Sequence, residues 1–394
     1  MDVLALNSGS SSLKFGLYRV AASQTETVLS GAIESIGAHA SRFFAADARR
    51  NALADETAPI SSHGQAIIRI GRLLRESGTA APSAIGHRVV HGGPTLLQHC
   101  LIDDLVLRQL EAASAFAPLH TPAALTVIHY AQTHFPGLPQ AACFDTAFHA
   151  EMPDVARTLP IARELLALGI RRYGFHGLSC ESLVHQLGVE LPARTVIAHL
   201  GNGASVTAVR NGKSIDTSMG LTPTGGVMMG TRSGDLDPGV LLYLLRAKHL
   251  DAAMLEDLVD HRCGLLGISG NTSDMRLLHA AAPTDAAARL AIEMFCYGVC
   301  KQVAGMIAAL GGVDLLVFTG GIGENDAAAR AAICAGLSCV GVSLDEARNR
   351  TASNPISSRA SGCAVRVLAS QEDEQIARHT RMLLASASGS SVTA

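Results

Sequence analysis

One short plan occurs twice in this 394-residue chain: an apolar strand, a glycine-containing turn and a second strand. The first copy is LALNSGSSSLKFGLY at residues 4–18, and the second is VIAHLGNGASVTAVRNG at residues 196–212. Gly9 aligns with Gly203 in this comparison, and Ser11 aligns with Ser205. A repeated supersecondary unit in a chain too long for one core predicts two similar α/β lobes that face each other across a cleft.

Three glycine-rich turns follow apolar runs and have the composition of phosphate-binding loops. They are NSGSSS at residues 7–12, HLGNG at 199–203 and GGIGEN at 320–325. Small residues let backbone N–H groups approach oxyanions, and the last turn leads to Asp326, a predicted helix start whose dipole would favour an anion. Neither the Walker A spacing nor the dinucleotide fingerprint is present. Any one turn could be ordinary loop chemistry, but three together favour a nucleotide site.

Composition excludes several protein classes. Charged residues make up 16% of the chain, and the formal net charge is -3, so the sequence lacks the basic field of a nucleic-acid-binding protein. The most apolar long stretch, residues 299–318, contains Lys301 and Asp314, and we interpret it as a buried helix followed by a strand. The start shows no signal-peptide pattern, and the nine cysteines include no CxxC pair. These features predict a reduced, cytoplasmic protein.

Hydrophobic periodicity predicts alternating strands and helices along the chain. Strands are predicted at residues 3–6, 13–20, 84–90, 141–144, 195–200, 205–210, 213–217, 313–318 and 365–369. Helices are predicted at residues 104–117, 122–134, 237–249, 252–260, 286–310 and 372–384.

Polar side chains suited to phosphoryl transfer lie in or near these turns and strand ends: Lys14, Arg88, Asp145, His176 and Arg232. Transfer of a phosphoryl group requires positive charge around its equatorial oxygens. A carboxylate acceptor is already anionic and needs no general base, but arginines must bring it against a second anion. Each residue also has a structural interpretation. The arginines could form ion pairs, His176 could be a hydrogen-bonded core histidine, and Asp145 could cap a strand end.

Longer motifs define a family resemblance. LNSGSSSLKF, HRVVHGG, FDTAFH, RRYGFHGLS, MMGTRSGDLDP, GISGNTSDMR and FTGGIGEN are similar to segments of the acetate kinase family, the short-chain fatty acid kinases, over essentially the full length. The resemblance implies the sugar kinase/Hsc70/actin (ribonuclease H-like) fold and a homodimer. We expect residues 1–150 to form an N-terminal lobe completed by a C-terminal helix at 373–386. Residues 151–372 would form the nucleotide-binding lobe, and 387–394 a disordered tail.

The resemblance also assigns site residues by position. The catalytic residues are Arg88, Asp145, His176 and Arg232. Arg88 would also hold the acyl group, beside a small pocket formed by Val90, Leu119, His120, Phe175 and Pro223. ATP or ADP is the implied co-substrate, bound by Lys14, His199, Leu200, Gly201, Asn202, Gly203, Asp274, Met275, Arg276, Gly321, Ile322, Gly323, Glu324 and Asn325. Asn7 and Glu372 are the implied Mg²⁺ residues, with Mn²⁺ as an alternative ion.

The sequence departs from the family pattern at several positions: Cys180, Pro94, Thr224-Gly225, Asp373 and Met275. None of these changes removes a phosphoryl-transfer group. The predicted function is therefore reversible Mg²⁺-dependent transfer of the ATP γ-phosphate to acetate, giving acetyl phosphate and ADP. Val90 narrows the pocket and favours acetate over propionate, although one methylene is worth only about 1–3 kcal/mol. Propionate kinase is the alternative within the class. A phosphatase or ATPase of the same fold, with Asp145 or Glu372 activating water, is the alternative outside it.

Overall fold

A computed structural model describes residues 1–9, 11–118 and 120–390 of the chain. Contacts divide the chain into two compact units. The first unit contains Met1–Ala150, Gly177–Ser182 and the chain from Gln371 onward, and the second contains Glu151–His176 and Leu183–Ser370. The chain therefore returns to its first unit after completing the second.

Strands and α-helices are labelled here in chain order. The strands are β1 Asp2–Ser8, β2 Leu13–Val20, β3 Thr25–Glu34, β4 Ser41–Asp47, β5 Ala52–Ala58, β6 Ala84–Val89, β7 Cys100–Leu101, β8 Gln140–Phe144, β9 Arg194–Leu200, β10 Ala204–Arg210, β11 Lys213–Thr217, β12 Leu315–Thr319 and β13 Ala364–Val367. The helices are α1 His63–Glu76, α2 Asp104–Ala113, α3 Thr121–His134, α4 Asp154–Arg157, α5 Arg163–Leu166, α6 Gly177–Leu187, α7 Pro238–Ala247, α8 Ala252–Asp257, α9 Gly264–Ser269, α10 Met275–Ala281, α11 Ala286–Leu310, α12 Gly320–Asn325, α13 Ala327–Ala335, α14 Glu346–Thr351 and α15 Glu372–Ser390.

Each unit is built on one sheet, and the two sheets share a strand order. Within the described residues, the first sheet runs β5-β4-β3-β2-β1-β6-β8-β7 and the second runs β11-β10-β9-β12-β13. In both sheets an antiparallel three-stranded meander continues into two parallel strands, so β3-β2-β1-β6-β8 corresponds to β11-β10-β9-β12-β13. This correspondence confirms the predicted duplication and the α/β class of the two lobes.

Alternation along β1 explains how the first unit buries both faces of its sheet. Leu4 and Leu6 pack into a core that also contains residues of α1 and α3, whereas Val3 and Ala5 point to the opposite face. Successive strand side chains alternate between faces, so each face needs its own cover. Helix α15 supplies it on the second face, where Ile376 is fully buried. The last helix is therefore a structural part of the first unit.

Helix α11 is the only helix of the described residues that is long and apolar enough to cross a membrane by length and composition. The core helix of a globular protein passes the same test, and α11 buries one side over the second sheet, including Phe295, Val299 and Val303. It ends at Gly311 in a left-handed conformation, and β12 follows. The predicted arrangement of a buried helix followed by a strand is confirmed.

The structure contains elements that the periodicity did not predict, among them helices α1, α6, α10 and α14. Strands β3, β4 and β5 were not predicted either. The residues of β5 are nearly all exposed, so it lacks the alternation of a half-buried strand, whereas β4 buries Ser41, Phe43 and Ala45 in alternation. The closing helix extends to Ser390 rather than ending near 386, and the hydroxyls of Ser386 and Ser388 donate to the Met382 and Leu384 carbonyls within it. Residues 387–390 are therefore helical, and 391–394 of the predicted disordered tail lie outside the described residues.

Candidate active site

A buried ion pair lies where β6 and β8 end in the first unit. Arg88 on β6 donates from Nε to both oxygens of Asp145, at 3.2 and 3.1 Å, and from Nη2 to Oδ2 at 2.6 Å. The Asp145 side chain is 1% exposed, and that of Arg88 is 20% exposed. Parallel strands end at the same edge of a sheet, which is why residues 57 positions apart meet. Burial favours a neutral Asp145 and raises its pKa, whereas the Arg88 guanidinium lowers it.

Arg88 also connects this pair to the end of β1 and the start of α15. Its Nη1 donates to Asn7 Oδ1 at 3.1 Å. The Asn7 amide in turn donates to Asp373 at 2.9 Å and to Glu372 at 3.3 Å. One hydrogen-bonded network therefore joins four predicted site residues, Asn7, Arg88, Asp145 and Glu372, with Asp373, a position that departs from the family pattern. The sequence could have indicated Asp373 as a site residue, because it directly follows Glu372 in the motif QEDE.

The donor set of this network suits Mg²⁺. Asn7, Glu372, Asp373 and Asp145 offer only oxygen ligands, which hard divalent cations prefer. Asp145, Glu372 and Asp373 are three carboxylates, of which Arg88 bonds only Asp145, and the Lys14 charge also acts on Asp373. Burial raises the pKa of Asp373, the Asn7 hydrogen bond lowers it, and the Glu372 charge raises it. A bound divalent cation would offset part of the negative charge of these groups.

In the second unit, the turn between β9 and β10 lies against two cationic or polar donors. A methyl group placed on Gly203 would lie 3.2 Å from His176 Nε2 and 3.6 Å from Arg232 Nη1. Only a residue without a side chain lets the backbone come this close without displacing them. Arg232 is half-buried, and its Nη1 donates to the Pro223 carbonyl at 3.3 Å. The turn and both side chains predicted to contact the transferred group therefore form one cluster.

His176 is held in an unusual backbone conformation. Its φ of 58° lies in the left-handed region, which a non-glycine residue adopts at a cost. The ring Nδ1 lies 2.9 Å from Ser205 Oγ, and the ring stacks on His199 at a centroid distance of 4.1 Å. Ser205 and His199 are cross-strand partners in the β9–β10 register. The second copy of the repeated plan thus fixes the orientation of His176.

A cavity of about 690 Å³ opens beside this turn within the second unit. Its walls come from the β9–β10 turn, the start of α10 and helix α12. Its predicted lining residues are Gly201, Asn202, Asp274, Met275, Arg276, Gly321, Ile322 and Asn325. The lining also includes Ser273 and His279, which were not predicted, and Asp326, which was predicted only as a helix start. Ser273 directly precedes Asp274, and Asp326 directly follows Asn325, so both residues adjoin predicted site residues. His279 lies one helical turn further along α10, and no motif indicated it.

Other predicted nucleotide residues support the cavity from behind. Glu324 turns back to accept from the Gly320 amide at 3.1 Å, and Gly323 is buried. The fully buried Arg330 donates to the carbonyls of Gly323 and Glu324, both at 2.9 Å. The third glycine-rich turn is therefore the short helix α12, and the Arg330 guanidinium holds it by hydrogen bonds to two of its carbonyl oxygens.

The helix start at Asp326 differs from its predicted role as an anion site. Its carboxylate accepts from Ala329 N at 2.9 Å and therefore occupies the α13 N-terminus itself. The other oxygen lies 2.7 Å from His279 Nε2. A helix N-terminus already capped by a carboxylate repels a second anion.

The remaining predicted residues are divided between the units. Lys14 is exposed on β2 of the first unit, directly opposite Asn7 in the β1–β2 register. Val90 is 5% exposed in the first unit, where His120 precedes α3. Phe175 and Pro223 are buried in the second unit, as are Leu200 and the strand around it. Leu119 lies outside the described residues.

The paired sheets, the arginine–carboxylate network and the nucleotide-sized cavity define a two-lobed phosphotransferase of the sugar kinase/Hsc70/actin type. The profile described as the acetokinase family matches residues 2–378, and the chain belongs to that family. It is 42% identical to the acetate kinase of Nitrobacter hamburgensis, over 99% of this chain and 98% of the relative. A propionate kinase from Francisella tularensis superposes with a TM-score of 0.90 at 38% identity, covering 97% and 99% of the chains. Porphyromonas gingivalis acetate kinase superposes with a TM-score of 0.87 at 35% identity, with the same coverage.

Family membership makes the chain an enzyme that transfers a phosphoryl group to a carboxyl group, with ATP or ADP as the co-substrate.

Proposed function

We propose that this protein is an acetate kinase that reversibly transfers the ATP γ-phosphate to the acetate carboxylate by direct in-line transfer. The observation that carries the proposal is the Gly203 turn, where the backbone, His176 Nε2 and Arg232 Nη1 come together beside the nucleotide cavity. These donors suit the equatorial oxygens of a transferring phosphoryl group, which carry the developing charge. The products are acetyl phosphate and ADP.

The chain's own residues account for the steps of this reaction. Arg88 holds the acceptor carboxylate, and Asp145 orients Arg88 through its paired hydrogen bonds. Acetate is ionised at neutral pH, so the attacking oxygen needs no general base and Asp145 keeps an orienting role. Asn7 and Glu372, together with Asp373, would hold Mg²⁺, which supplies charge neutralisation at the nucleotide phosphates. Mn²⁺ has the same ligand preference.

The proposed division of labour follows the two units. The first unit, which contains residues 1–150, 177–182 and α15, holds the acceptor and the metal. The second unit, residues 151–176 and 183–370, binds the nucleotide through the cavity and through His199, Leu200 and Gly203 behind it. Lys14 remains a proposed ATP contact. Val90, His120, Phe175 and Pro223 are the proposed contacts of the methyl group of the acid within the described chain.

Acetate is proposed over propionate because of Val90. Val90 lies two residues after Arg88 in the sequence, and its side chain is buried. Its two methyl groups leave less room for the acid than a smaller residue would. One additional methylene changes binding by about 1–3 kcal/mol, so discrimination should be tenfold or more rather than absolute. Propionate is the alternative substrate, since the Francisella tularensis structure of the same fold is a propionate kinase.

We also propose a cytoplasmic homodimer. Helix α7 buries none of its ten residues and exposes Val240, Leu242 and Tyr243. Helix α11 exposes Leu290, Met294 and Tyr297 at helical spacing, on the side away from the second sheet. Exposed apolar stripes of this kind are typical of surfaces that a partner covers, and a second copy of the chain is the simplest partner.

The test is an acyl hydroxamate assay with magnesium-ATP that compares acetate, propionate and butyrate by kcat/KM. Acetate should give the highest value, and propionate should be lower by about tenfold or more. Propionate in first place would keep the reaction and overturn the Val90 argument. Phosphate release without any acyl hydroxamate would instead indicate the hydrolase alternative.

A further inference from the structure

A second buried cluster of ionisable side chains lies in the first unit, apart from the network around Arg88. Glu181 on α6 accepts from His379 on α15, with Oε2 2.8 Å from Nε2. It also lies 3.3 Å from Nε2 of His99, which is located just before β7. The three side chains are only 10–15% exposed. Their ligand atoms lie within 4.8 Å of one another, and no other group of three or more His, Cys, Asp or Glu side chains in the described chain is as close.

Hydrogen bonding determines what this cluster can do. The Phe144 N–H donates to His99 Nδ1 at 3.0 Å, so a neutral His99 carries its proton on Nε2 and directs it at Glu181. A protonated Nε2 has no lone pair for a metal ion, so the geometry favours a hydrogen-bonded bridge over a cation site. Burial alone would raise the pKa of Glu181, but the hydrogen bonds from His379 and His99 lower it to about 2. The centre of the bridge is therefore a carboxylate.

The bridge connects α6 and α15 to the end of β8, next to the proposed site residues Asp145 and Glu372. Phe144 is the last residue of β8 and directly precedes Asp145. Helix α6 begins at Gly177, whose N–H donates to the Asp145 carbonyl at 2.9 Å. Helix α15 begins at Glu372 and presents His379 two turns later. We propose that Glu181 is a positioning residue, which through His99 and His379 fixes the Asp145 end of β8 relative to the first turn of α15.

The proposal rests on the proposed kinase function and adds a residue that touches neither substrate nor nucleotide. Removing the carboxylate would leave two buried N–H groups without their acceptor. The end of β8 and helix α15 would then lose the hydrogen bonds that connect them through Glu181. A displacement of about 1 Å at reacting groups can cost a hundredfold in rate. The nucleotide cavity is lined only by residues of the second unit, so nucleotide affinity should not change.

The experiment compares Glu181→Gln and Glu181→Asp in the full-length enzyme. Glutamine keeps the shape but has one acceptor oxygen for two donors, whereas aspartate keeps both oxygens on a shorter side chain. We expect kcat to fall about ten- to a hundredfold in Glu181→Gln, with Glu181→Asp closer to wild type. The dissociation constant of ADP, measured by calorimetry, should stay within about twofold in both. A purely packing role would reverse the order of the two variants. Glu190→Gln is the matched control, because its side chain is 67% exposed.

Hydrogen–deuterium exchange provides a readout that does not depend on activity. The Phe144 amide should exchange faster in Glu181→Gln than in wild type, because His99 loses its anchor. Unchanged exchange together with wild-type kcat would overturn the proposal, as would a Gln variant more active than the Asp variant. If the wild-type enzyme phosphorylated no acid at all, the proposed function would fail, and the exchange measurement would still decide whether the bridge exists.

Discussion

The network around Arg88 and the cluster at Gly203 are both proposed to bind anions, but they consist of different chemical groups. The first uses charged side chains that bind one another: Arg88 bonds to Asp145 and Asn7, and Asn7 bonds to Glu372 and Asp373. The second uses the backbone of a turn with two glycines, Gly201 and Gly203, and two half-buried donors lie against it. In the first region the same hydrogen bonds serve the fold and the site. In the second, the site groups contribute little to the fold.

This contrast has an energetic consequence. A buried charge that loses its partner destabilises the folded state, whereas a partly exposed one regains solvent. Substitutions in the first region should therefore change stability and turnover together, and substitutions in the second should change turnover alone. Three substitutions test this separation, in order of decreasing effect.

Arg88→Ala should have the largest effect. Asp145 would remain buried without its ion-pair partner, so we expect the free energy of unfolding to fall by about 3–5 kcal/mol. Turnover should fall by at least about a hundredfold, because the acceptor loses its arginine. Urea denaturation and the hydroxamate assay measure the two quantities.

The double variant Arg88→Ala/Asp145→Asn sharpens this test. It also removes the buried Asp145 carboxylate, which Arg88→Ala alone leaves without its partner. The double variant should therefore regain much of the lost stability, but none of the turnover. Arg19→Ala is the control, since that arginine pairs with Asp2 while 54% exposed. If Arg88→Ala unfolded at the wild-type urea concentration, the first region would not couple fold and site.

Arg232→Ala should cost turnover without stability. Loss of one charged donor to the transferring group is worth about 3–4 kcal/mol, or roughly a hundred- to a thousandfold in kcat. The unfolding free energy should change by only about 1 kcal/mol, which corresponds to its bond to the Pro223 carbonyl. Activity within tenfold of wild type would remove Arg232 from the mechanism. Arg366→Ala is the control in the same unit, because its partner Glu190 is at the surface.

Gly203→Ala should have the smallest effect of the three. Its methyl group would lie 3.2 Å from His176 Nε2, so the ring must shift by a few tenths of an ångström. We expect kcat to fall about tenfold, with the ADP dissociation constant changed much less. Gly305→Ala is the matched control, since its methyl group would meet nothing within 4 Å in helix α11. An unchanged kcat would mean that the close approach of turn and ring has no part in transfer.

Local sequence features predicted the second region better than the first. The turn at 199–203 and the segment at 320–325 are short motifs that fold where they stand, and both form cavity walls. Ser273 and Asp326 adjoin predicted residues, and only His279 lies apart from them. In the first region, the pairing of Asp373 with Asn7 was not predicted, because those residues lie 366 positions apart.

The sequence by itself determined the repeated strand–turn–strand plan, the nucleotide-binding segments and the resemblance to a kinase family. Alternating hydrophobicity and turn chemistry act between near neighbours, so they can be interpreted without the fold. Tertiary structure alone decided that Arg88 is shared between Asp145 and Asn7. It also decided that Glu181 meets His99 and His379, which lie 82 and 198 positions away. Such contacts form only when distant segments pack, and no local pattern specifies which distant partner a buried charge will find.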